Sequence, residues 1–283
     1  MQFKKYDTLV ISGGSILGFY ILGSLQYCYE NNIINNITTI FSTSVGSILS
    51  YLLCIGYSPI DIFSILSTKR ELFNKLSNLN LLNLINGKGV TDFIYINNFL
   101  EELTLKKFEK LLSLKELYEL SGKNLFFTTY NESDNILEYI NYINYPDIPV
   151  LTAIRMSCNI PEFFEKFSYK NKFYIDGGIL DNFPIYEASK YSDNILGINI
   201  PKTINFKEDE NFLERIYRRF TIPLIQLEKI TNKNINKPID IINIYSDKNN
   251  YILDFSIKQS LKYEMFYNGY KTSEDYFIQK MKI

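Results

Sequence analysis

The chain has 283 residues and a hydrophobic content of 46%, which is enough for one large domain. Thirty basic and thirty-one acidic residues give a net charge of -1, so we expect no nucleic-acid partner and no electrostatic attraction of the whole molecule to an anionic membrane. The chain contains no histidine, which excludes histidine as a general base and argues against imidazole-based metal sites.

Its three cysteines, Cys28, Cys54 and Cys158, are odd in number and widely spaced. This spacing fits neither a disulfide framework nor a zinc site, and it favours a reducing compartment. The N-terminal residues form a short charged stretch followed by strand-like residues, without a signal-peptide cleavage site. The sequence therefore predicts a cytoplasmic location, with peripheral membrane contact at most.

Two long uncharged segments, residues 8–28 and 33–60, approach the roughly 20 residues that a membrane helix needs. Each begins with strand-like residues, passes through a Gly/Ser turn and continues as a helix-like sequence, which is typical of parallel strands buried on both faces. We therefore favour two βα units and expect no transmembrane helix. A membrane-spanning interpretation is the alternative.

Hydrophobic periodicity and turn residues predict alternating strands and helices along the chain. The predicted strands are Thr8–Ser12, Thr38–Phe41, Leu125–Thr129, Ile136–Ile140, Phe173–Ile175, Asn194–Ile200 and Ile239–Tyr245. The predicted helices are Ile16–Tyr27, Ser47–Ile55, one that begins at Pro59, Ile96–Leu105, Ser113–Leu120, Pro149–Ser157, Glu210–Lys229 and Ser256–Met281. Lys69 to Tyr95 is irregular and is interpreted as a mobile cap, with Leu79–Ile85 as a lid or membrane-docking surface.

This alternation predicts an α/β protein with three αβα layers and a mostly parallel central sheet. We expect residues 1–283 to form one domain. Its core would lie at about residues 7–200, and residues 201–283 would form a C-terminal α/β extension packed on that core.

A candidate nucleophile, Ser44, lies in the sequence Ser42-Thr43-Ser44-Val45-Gly46, between a predicted strand and a predicted helix. This is the position in which a G-x-S-x-G turn exposes a serine, and the sharp turn needs small flanking residues such as Ser42 and Gly46. The motif alone has many chance matches. A serine-rich helix cap is the alternative interpretation.

With histidine absent, the base that activates the serine must be a carboxylate or a lysine. Asp176 ends a predicted strand and is followed by Gly177 and Gly178, so its side chain should lie at the same rim of the sheet as Ser44. An Asp-Gly turn without a catalytic role is the alternative.

The turn Ser12-Gly13-Gly14-Ser15 also joins a predicted strand to a helix. Its N–H groups, together with that of Val45, are candidates to stabilise the oxyanion that forms in acyl transfer. A nucleotide-binding turn or tight packing is the alternative. A dinucleotide fingerprint fits poorly, because no G-x-G-x-x-G is present and the acidic residue expected about 20 residues later is missing.

Together these motifs resemble the patatin-like phospholipase family, which carries a G-G-G-x-[RK]-G turn, a G-x-S-x-G elbow and a D-G-[GA] turn in this order. Residues 153–164 resemble the family's A-x-x-x-S-x-x-x-P-x-x-F block, and residues 176–184 its D-G-G-x-x-x-N-x-P stretch. The resemblance covers about residues 7–200, with weaker similarity at Ile252–Phe277. The three motifs read Gly13-Gly14-Ser15-Ile16-Leu17-Gly18, Ser42-Thr43-Ser44-Val45-Gly46 and Asp176-Gly177-Gly178.

The resemblance implies a lipid acyl hydrolase of phospholipase A or lysophospholipase type that acts on phospholipids or other lipid esters without a cofactor or metal. It implies a dyad in which Ser44 is the nucleophile and Asp176 its base. The implied oxyanion hole consists of Gly13, Gly14, Ser15 and Val45, and the implied supporting residues are Ser42, Gly46, Gly177 and Gly178.

Three residues depart from the family pattern, namely Ser15, Leu17 and Ser42. A positive φ at Ser15 would cost about 1 kcal/mol or more and could misalign the oxyanion donors. One alternative is therefore a pseudoenzyme that binds lipid without hydrolysing it. Another is a transacylase, which uses an alcohol in place of water. Because an ordinary aspartate titrates near ~3.9 and histidine near ~6.5, we expect no histidine-like midpoint in the pH dependence of activity.

Overall fold

The computed structural model describes residues 4–80, 82–86, 88–202, 212–246 and 253–282. The strands are β1 Thr8–Ile11, β2 Thr39–Thr43, β3 Asn124–Asn131, β4 Ile136–Ile140, β5 Phe167–Tyr169, β6 Lys172–Asp176, β7 Ile195–Asn199 and β8 Asp240–Asn243. The helices are α1 Gly18–Glu30, α2 Val45–Cys54, α3 Pro59–Thr68, α4 Arg70–Ser77, α5 Leu82–Ile85, α6 Ile94–Phe108, α7 Leu114–Ser121, α8 Val150–Ser157, α9 Ile185–Ser189, α10 Phe212–Asn232 and α11 Gln259–Lys280. Short 3-10 turns occupy Ser15–Leu17 and Gly177–Ile179.

The strands form one sheet in which β3, β2, β1, β7 and β8 are parallel neighbours in that order. β4 and β6 pair antiparallel with β3, and β5 pairs antiparallel with β6. The predicted mostly parallel sheet is thus confirmed, with an antiparallel group added at one side.

The strands β2 and β6 occupy the same edge of β3. β2 pairs with β3 as far as Thr43, which lies opposite Thr128, and β6 follows with Asp176 opposite Thr129. β4 takes the other edge of β3, because it pairs with residues that also pair with β2 and β6. The C-terminal ends of β2 and β6 therefore meet end to end, so the residue that follows Thr43 lies beside Asp176.

Side chains of the central strands alternate between two hydrophobic clusters on opposite faces of the sheet. In β1, Leu9 and Ile11 belong to the larger cluster and Val10 to the smaller one. The larger cluster includes buried residues of α1, α2 and α11, and the smaller one includes Ile185 and Ala188 of α9. Helices therefore cover both faces, which confirms the predicted αβα layers.

Residues 69–95 contain more regular structure than predicted. The interpretation of this region as irregular is wrong, because α4 and α5 lie within it and α6 begins at Ile94. In α4, Phe73 and Leu76 are buried and Leu72 packs against the same core, while the other residues of the helix are polar. Leu79 and Leu82 are exposed, whereas Leu81 lies outside the described residues.

Other differences from the predicted elements are small. β5 and α9 were not predicted, since three and five residues are too few for a periodic pattern. The predicted start of α10 at Glu210 lies outside the described residues, and α11 begins at Gln259 instead of Ser256.

The two uncharged segments of the sequence fold as β1 with α1 and as β2 with α2. Most residues of both units are buried, as expected for parallel strands covered on both faces. Within the described ranges, no helix combines the length and apolar composition that crossing a membrane requires.

Helix α11 crosses α1 at direct backbone contact. A Cβ atom on Gly23 would lie 1.8 Å from the Phe266 carbonyl oxygen, and one on Gly269 would lie 1.9 Å from that of Tyr20. The hydroxyls of Ser24 and Ser273 share a buried hydrogen bond of 2.6 Å beside this crossing. The C-terminal helix therefore packs directly on the helix that follows the first glycine-rich turn.

Candidate active site

Ser44 occupies a strained elbow between β2 and α2. Its φ of 54° and ψ of -126° are uncommon for a residue with a side chain, and such conformations cost about 1–3 kcal/mol. A Cβ atom on Gly46 would lie 2.7 Å from the Ser12 carbonyl oxygen and 2.8 Å from that of Ile11. Only glycine at this position lets α2 approach β1, which fixes the elbow at the carboxyl end of the sheet.

The backbone of the elbow is held by Ser157 at the end of α8. The Ser44 N–H donates to Ser157 Oγ over 3.0 Å, and Ser157 Oγ lies 2.9 Å from Ser47 Oγ in a second hydrogen bond. No specific role was predicted for Ser157, although it is the serine of the A-x-x-x-S block. The structure makes it a residue that positions Ser44.

Asp176 is buried beside Ser44, as the meeting of β2 and β6 requires. Its Oδ1 accepts a 2.7 Å hydrogen bond from the Gly178 N–H. Burial raises the pKa of Asp176 to about 6, and hydrogen bonds from the Ser44 hydroxyl and the Gly178 N–H, together with the Lys202 charge, limit this rise. The structure thus brings together the two residues that the sequence selected as nucleophile and base.

This environment corrects the expected pH dependence. The prediction used the pKa of an ordinary aspartate, whereas burial brings the Asp176 carboxyl into the range usually associated with histidine. A midpoint near 6 is therefore compatible with a chain that has no histidine.

Lys202 is a residue of the site that the sequence analysis missed. Its Nζ donates to the Gly178 carbonyl over 2.8 Å, and its charge lowers the pKa of Asp176. Burial lowers the pKa of Lys202. The negative charges of Asp176 and of Glu228 in α10 oppose this lowering. Its position just after β7, at the carboxyl edge of the parallel sheet, is the sequence signal that could have identified it.

The first glycine-rich turn lies against Ser44, but one of its predicted donors is occupied. A Cβ atom on Gly13 would lie 3.1 Å from Ser44 Cβ, so the two backbones approach closely. The Gly13 N–H donates to the Asn182 carbonyl over 3.0 Å. This N–H is therefore not free to bind an oxyanion in this conformation, and Gly14, Ser15 and Val45 remain the candidate donors.

Ser15 has the conformation that the sequence analysis identified as costly. Its φ is 49°, in the left-handed region that glycine adopts without strain. The replacement of the family's third glycine by serine therefore places backbone strain directly in the candidate oxyanion turn.

Asn182 joins the two glycine turns of the site. Its Nδ2 donates to the Gly13 carbonyl over 3.4 Å, and its Oδ1 would lie 2.5 Å from a Cβ atom on Gly13 and 2.7 Å from one on Gly178. Both glycines are needed to admit this side chain. Gly177 is equally constrained, since a Cβ atom there would lie 2.5 Å from the Thr128 carbonyl oxygen.

Ser42, the first small residue of the elbow, is fully buried in β2. Its hydroxyl donates to the Phe126 carbonyl over 3.4 Å. The serine is therefore accommodated by a hydrogen bond to the neighbouring strand, and its side chain does not reach the candidate site.

An apolar cavity begins at the candidate oxyanion turn. Its volume is about 90 Å³, which is smaller than the pocket of a typical drug-sized ligand, and its lining is almost entirely apolar. Ser15 and Val45 line the end nearest Ser44. The remaining lining comes from α1, α2, α3, α4, α6 and the segment before α11, and consists of Ile16, Gly18, Phe19, Leu22, Ile48, Leu49, Leu66, Leu72, Phe73, Leu76, Ile96, Phe99 and Phe255.

This fold and this site define a class of α/β proteins with a serine and a carboxylate at the carboxyl edge of a mostly parallel sheet. A family model described as patatin-like phospholipase matches residues 9–189. The chain belongs to the patatin-like phospholipase family.

Similar proteins come from several sources. The chain is 37% identical over 190 residues to probable lipid hydrolase 463L of Invertebrate iridescent virus 6, across 66% of this chain and 65% of the viral protein. It is 24% identical over 277 residues to triacylglycerol lipase 5 of Saccharomyces cerevisiae, across 87% of this chain and 36% of the lipase. The chain therefore spans less than two thirds of the length of these two relatives.

A solved structure shares the fold. The crystal structure of VipD from Legionella pneumophila superposes with a TM-score of 0.54 at 15% identity, covering 97% of this chain and 67% of VipD. At this identity the similarity concerns the fold alone.

Proposed function

We propose that the protein is a lipid acyl hydrolase of phospholipase A or lysophospholipase type. Ser44 Oγ attacks the ester carbonyl carbon of the lipid, and its proton passes to Asp176. The leaving alcohol takes this proton as its bond to the acyl carbon breaks, which leaves an acyl-enzyme. Asp176 then accepts a proton from water, whose oxygen attacks the acyl carbon. As the bond between the acyl carbon and Ser44 Oγ breaks, Asp176 returns this proton to Ser44 Oγ and the fatty acid is released.

The observation that supports this proposal most strongly is the position of Ser44 beside the buried Asp176 at one end of an apolar cavity. Negative charge on the carbonyl oxygen would be stabilised by the N–H groups of Gly14, Ser15 and Val45. Val45 begins α2, so the positive end of the helix dipole would add to this stabilisation.

The cavity supports a lipid substrate. Ser15 and Val45 line both the cavity and the candidate oxyanion hole, so an ester held at Ser44 would direct its acyl chain between the aliphatic and aromatic side chains beyond. The names of the viral relative and of the yeast lipase agree with lipid ester chemistry. Because phospholipids reside in membranes, the proposal includes transient contact with a membrane surface.

Labelling with a fluorophosphonate tests the nucleophile, because this probe reacts with activated serines. We expect the parent protein to be labelled and Ser44→Ala to lose labelling completely. Asp176→Asn should reduce the rate of labelling by about 10²- to 10⁴-fold, the usual contribution of a general base. Ser64→Ala, which alters an exposed serine of α3, is the matched control and should be labelled like the parent.

Two outcomes of these experiments would indicate a different function. Absence of labelling in a folded protein would favour a lipid-binding pseudoenzyme, for which the occupied Gly13 N–H and the strained Ser15 are the specific reasons. Labelling of Ser44 followed by transfer of the acyl group to an added alcohol, with little free fatty acid, would identify a transacylase. Defined phospholipids, incubated with and without an alcohol, distinguish these reactions.

A further inference from the structure

Helix α10 presents one side that is both basic and apolar. Ile222 and Ile230 are 39% and 60% exposed. Arg215 and Arg219 are also exposed. Residues 215, 219, 222, 226 and 230 follow the spacing i, i+4, i+7, i+11 and i+15, which places them along one side of the helix, and we call this side the outer face.

The opposite side of α10 faces the protein. Thr221 is buried, and Glu228, seven residues later, is half-buried with its pKa raised by burial. Among the α10 side chains that the structure describes, Glu228 is the one acidic group, and it lies on the side opposite the outer face.

The helix lies near the candidate active site. The charges of Glu228 and Lys202 act on each other, and Lys202 contacts the Gly178 carbonyl beside Asp176. Two further aliphatic side chains, Ile179 and Leu180, are 38% and 37% exposed in the turn that follows Asp176. The outer face therefore belongs to a helix near the candidate active site, and in the proposed reaction this site has to bind a lipid.

We infer that the outer face of α10 docks on anionic lipid surfaces. This inference rests on the proposed function. Arginine side chains near an anionic membrane surface are attracted by the lipid phosphates, and exposed aliphatic side chains enter the boundary between headgroups and acyl chains. A nucleic acid would attract the arginines but would not bury the aliphatic side chains, so a lipid surface fits the outer face better. Because the whole chain has a net charge of -1, the attraction has to be local.

Vesicle flotation tests the inference with the Ser44→Ala protein, so that binding is measured without hydrolysis. We expect binding to phosphatidylcholine vesicles that contain phosphatidylglycerol and much weaker binding to phosphatidylcholine alone. A basic residue near such a surface contributes about 1 kcal/mol, so the double variant Arg215→Gln, Arg219→Gln should bind on the order of 30-fold more weakly. Ile230→Asp should also weaken binding.

Matched controls lie on other surfaces of the molecule. Lys5→Gln with Lys115→Gln removes two exposed charges, and Leu120→Asp alters an aliphatic side chain that is 56% exposed on α7. These variants should bind like the Ser44→Ala parent. If the arginine variant keeps the parent affinity, or if the controls lose as much affinity, α10 is not the docking surface.

A soluble short-chain ester separates this inference from the proposed function. With Ser44 restored, the α10 variants should hydrolyse the soluble ester at the parent rate and lose activity only on vesicles. Equal loss on both substrates would overturn the docking role. A parent protein that binds anionic vesicles through α10 but hydrolyses no ester would contradict the proposed function alone.

Discussion

Asp176 must be ionised to accept a proton from Ser44, although its carboxyl is buried. Burial raises its pKa to about 6, so the reactive carboxylate is lost as the pH falls through this value. We expect kcat/KM for a soluble ester to rise through about pH 6 and to level off above it. A rate profile between about pH 4 and about pH 9 measures this midpoint. A midpoint near 4 would show that the carboxyl is better solvated during catalysis than in the structure.

Lys202 should influence that midpoint. Its positive charge lowers the pKa of Asp176, so Lys202→Met should move the acid limb of the rate profile to higher pH, by a fraction of a pH unit. Lys202→Arg keeps the charge and should restore the parental midpoint. A Lys202→Met variant that loses activity equally at all pH values would assign this lysine only a structural role at Gly178.

Asp181 offers a separate test of buried charge, because we assign it no part in the reaction. Its carboxylate accepts a 2.7 Å hydrogen bond from the Tyr139 hydroxyl, and burial raises its pKa from 3.8 to about 6. The folded state therefore holds this proton more tightly than the unfolded state. The stabilisation is complete below about pH 4 and is lost as the pH rises through about 6.

Asp181→Asn removes the loss of stability that ionisation of Asp181 causes as the pH rises. The free energy of unfolding of the variant should exceed that of the parent at about pH 7, by up to about 3 kcal/mol for a pKa change of about two units. The difference should disappear near pH 4. Urea denaturation at both pH values measures it, and an equal difference at both would contradict the pKa argument.

Ser157 should matter for stability and for reactivity. Ser157→Ala leaves the buried Ser44 N–H without its partner, which costs about 1–3 kcal/mol, and it releases the elbow. We expect a lower free energy of unfolding and slower fluorophosphonate labelling. Ser67→Ala removes a buried serine that bonds only within α3 and should leave labelling unchanged.

Local signals and long-range contacts explain which elements and site residues could be predicted. The βα units, the Ser44 elbow and the Asp176 turn depend on neighbouring residues, and their positions were predicted from the sequence. The occupied Gly13 N–H depends on Asn182, far along the chain, and the pKa of Asp176 depends on packing around β6. Neither has a local signal. α4 was missed because its eight residues are fewer than the stretch over which hydrophobic periodicity is read, although Leu72, Phe73 and Leu76 make the helix amphipathic.

The crossing of α1 and α11 reverses the usual effect of a glycine substitution in a helix. In the interior of a helix, alanine is normally more favourable than glycine by about 1 kcal/mol. At Gly269, however, a Cβ atom would lie 1.9 Å from the Tyr20 carbonyl oxygen, so Gly269→Ala must separate the helices. We expect it to lower the free energy of unfolding by about 1–3 kcal/mol, the usual effect of overpacking. Ser260→Ala, at the exposed start of α11, should change it little.

The molecule as a whole extends well beyond the segment that matches the family. The match ends at residue 189, but β7, which pairs with β1, and the helix that covers α1 both come later. Phe255 of the cavity wall also lies in this later part. The strands β7 and β8 and the helix α11 thus contribute to the sheet and to the packing of α1, and Phe255 contributes to the cavity.

The close backbone contact of α1 with α11, which Gly23 and Gly269 permit, has a practical consequence for the choice of expression boundaries. A fragment cut at the end of the family match would lose the strand beside β1 and uncover the glycine-lined side of α1. Unpaired strand edges and bare apolar helix faces recruit other chains, so such a fragment should aggregate when it is produced alone. The segment that matches the family model and the segment that can fold are therefore different lengths of this chain, and a recombinant version should retain α11.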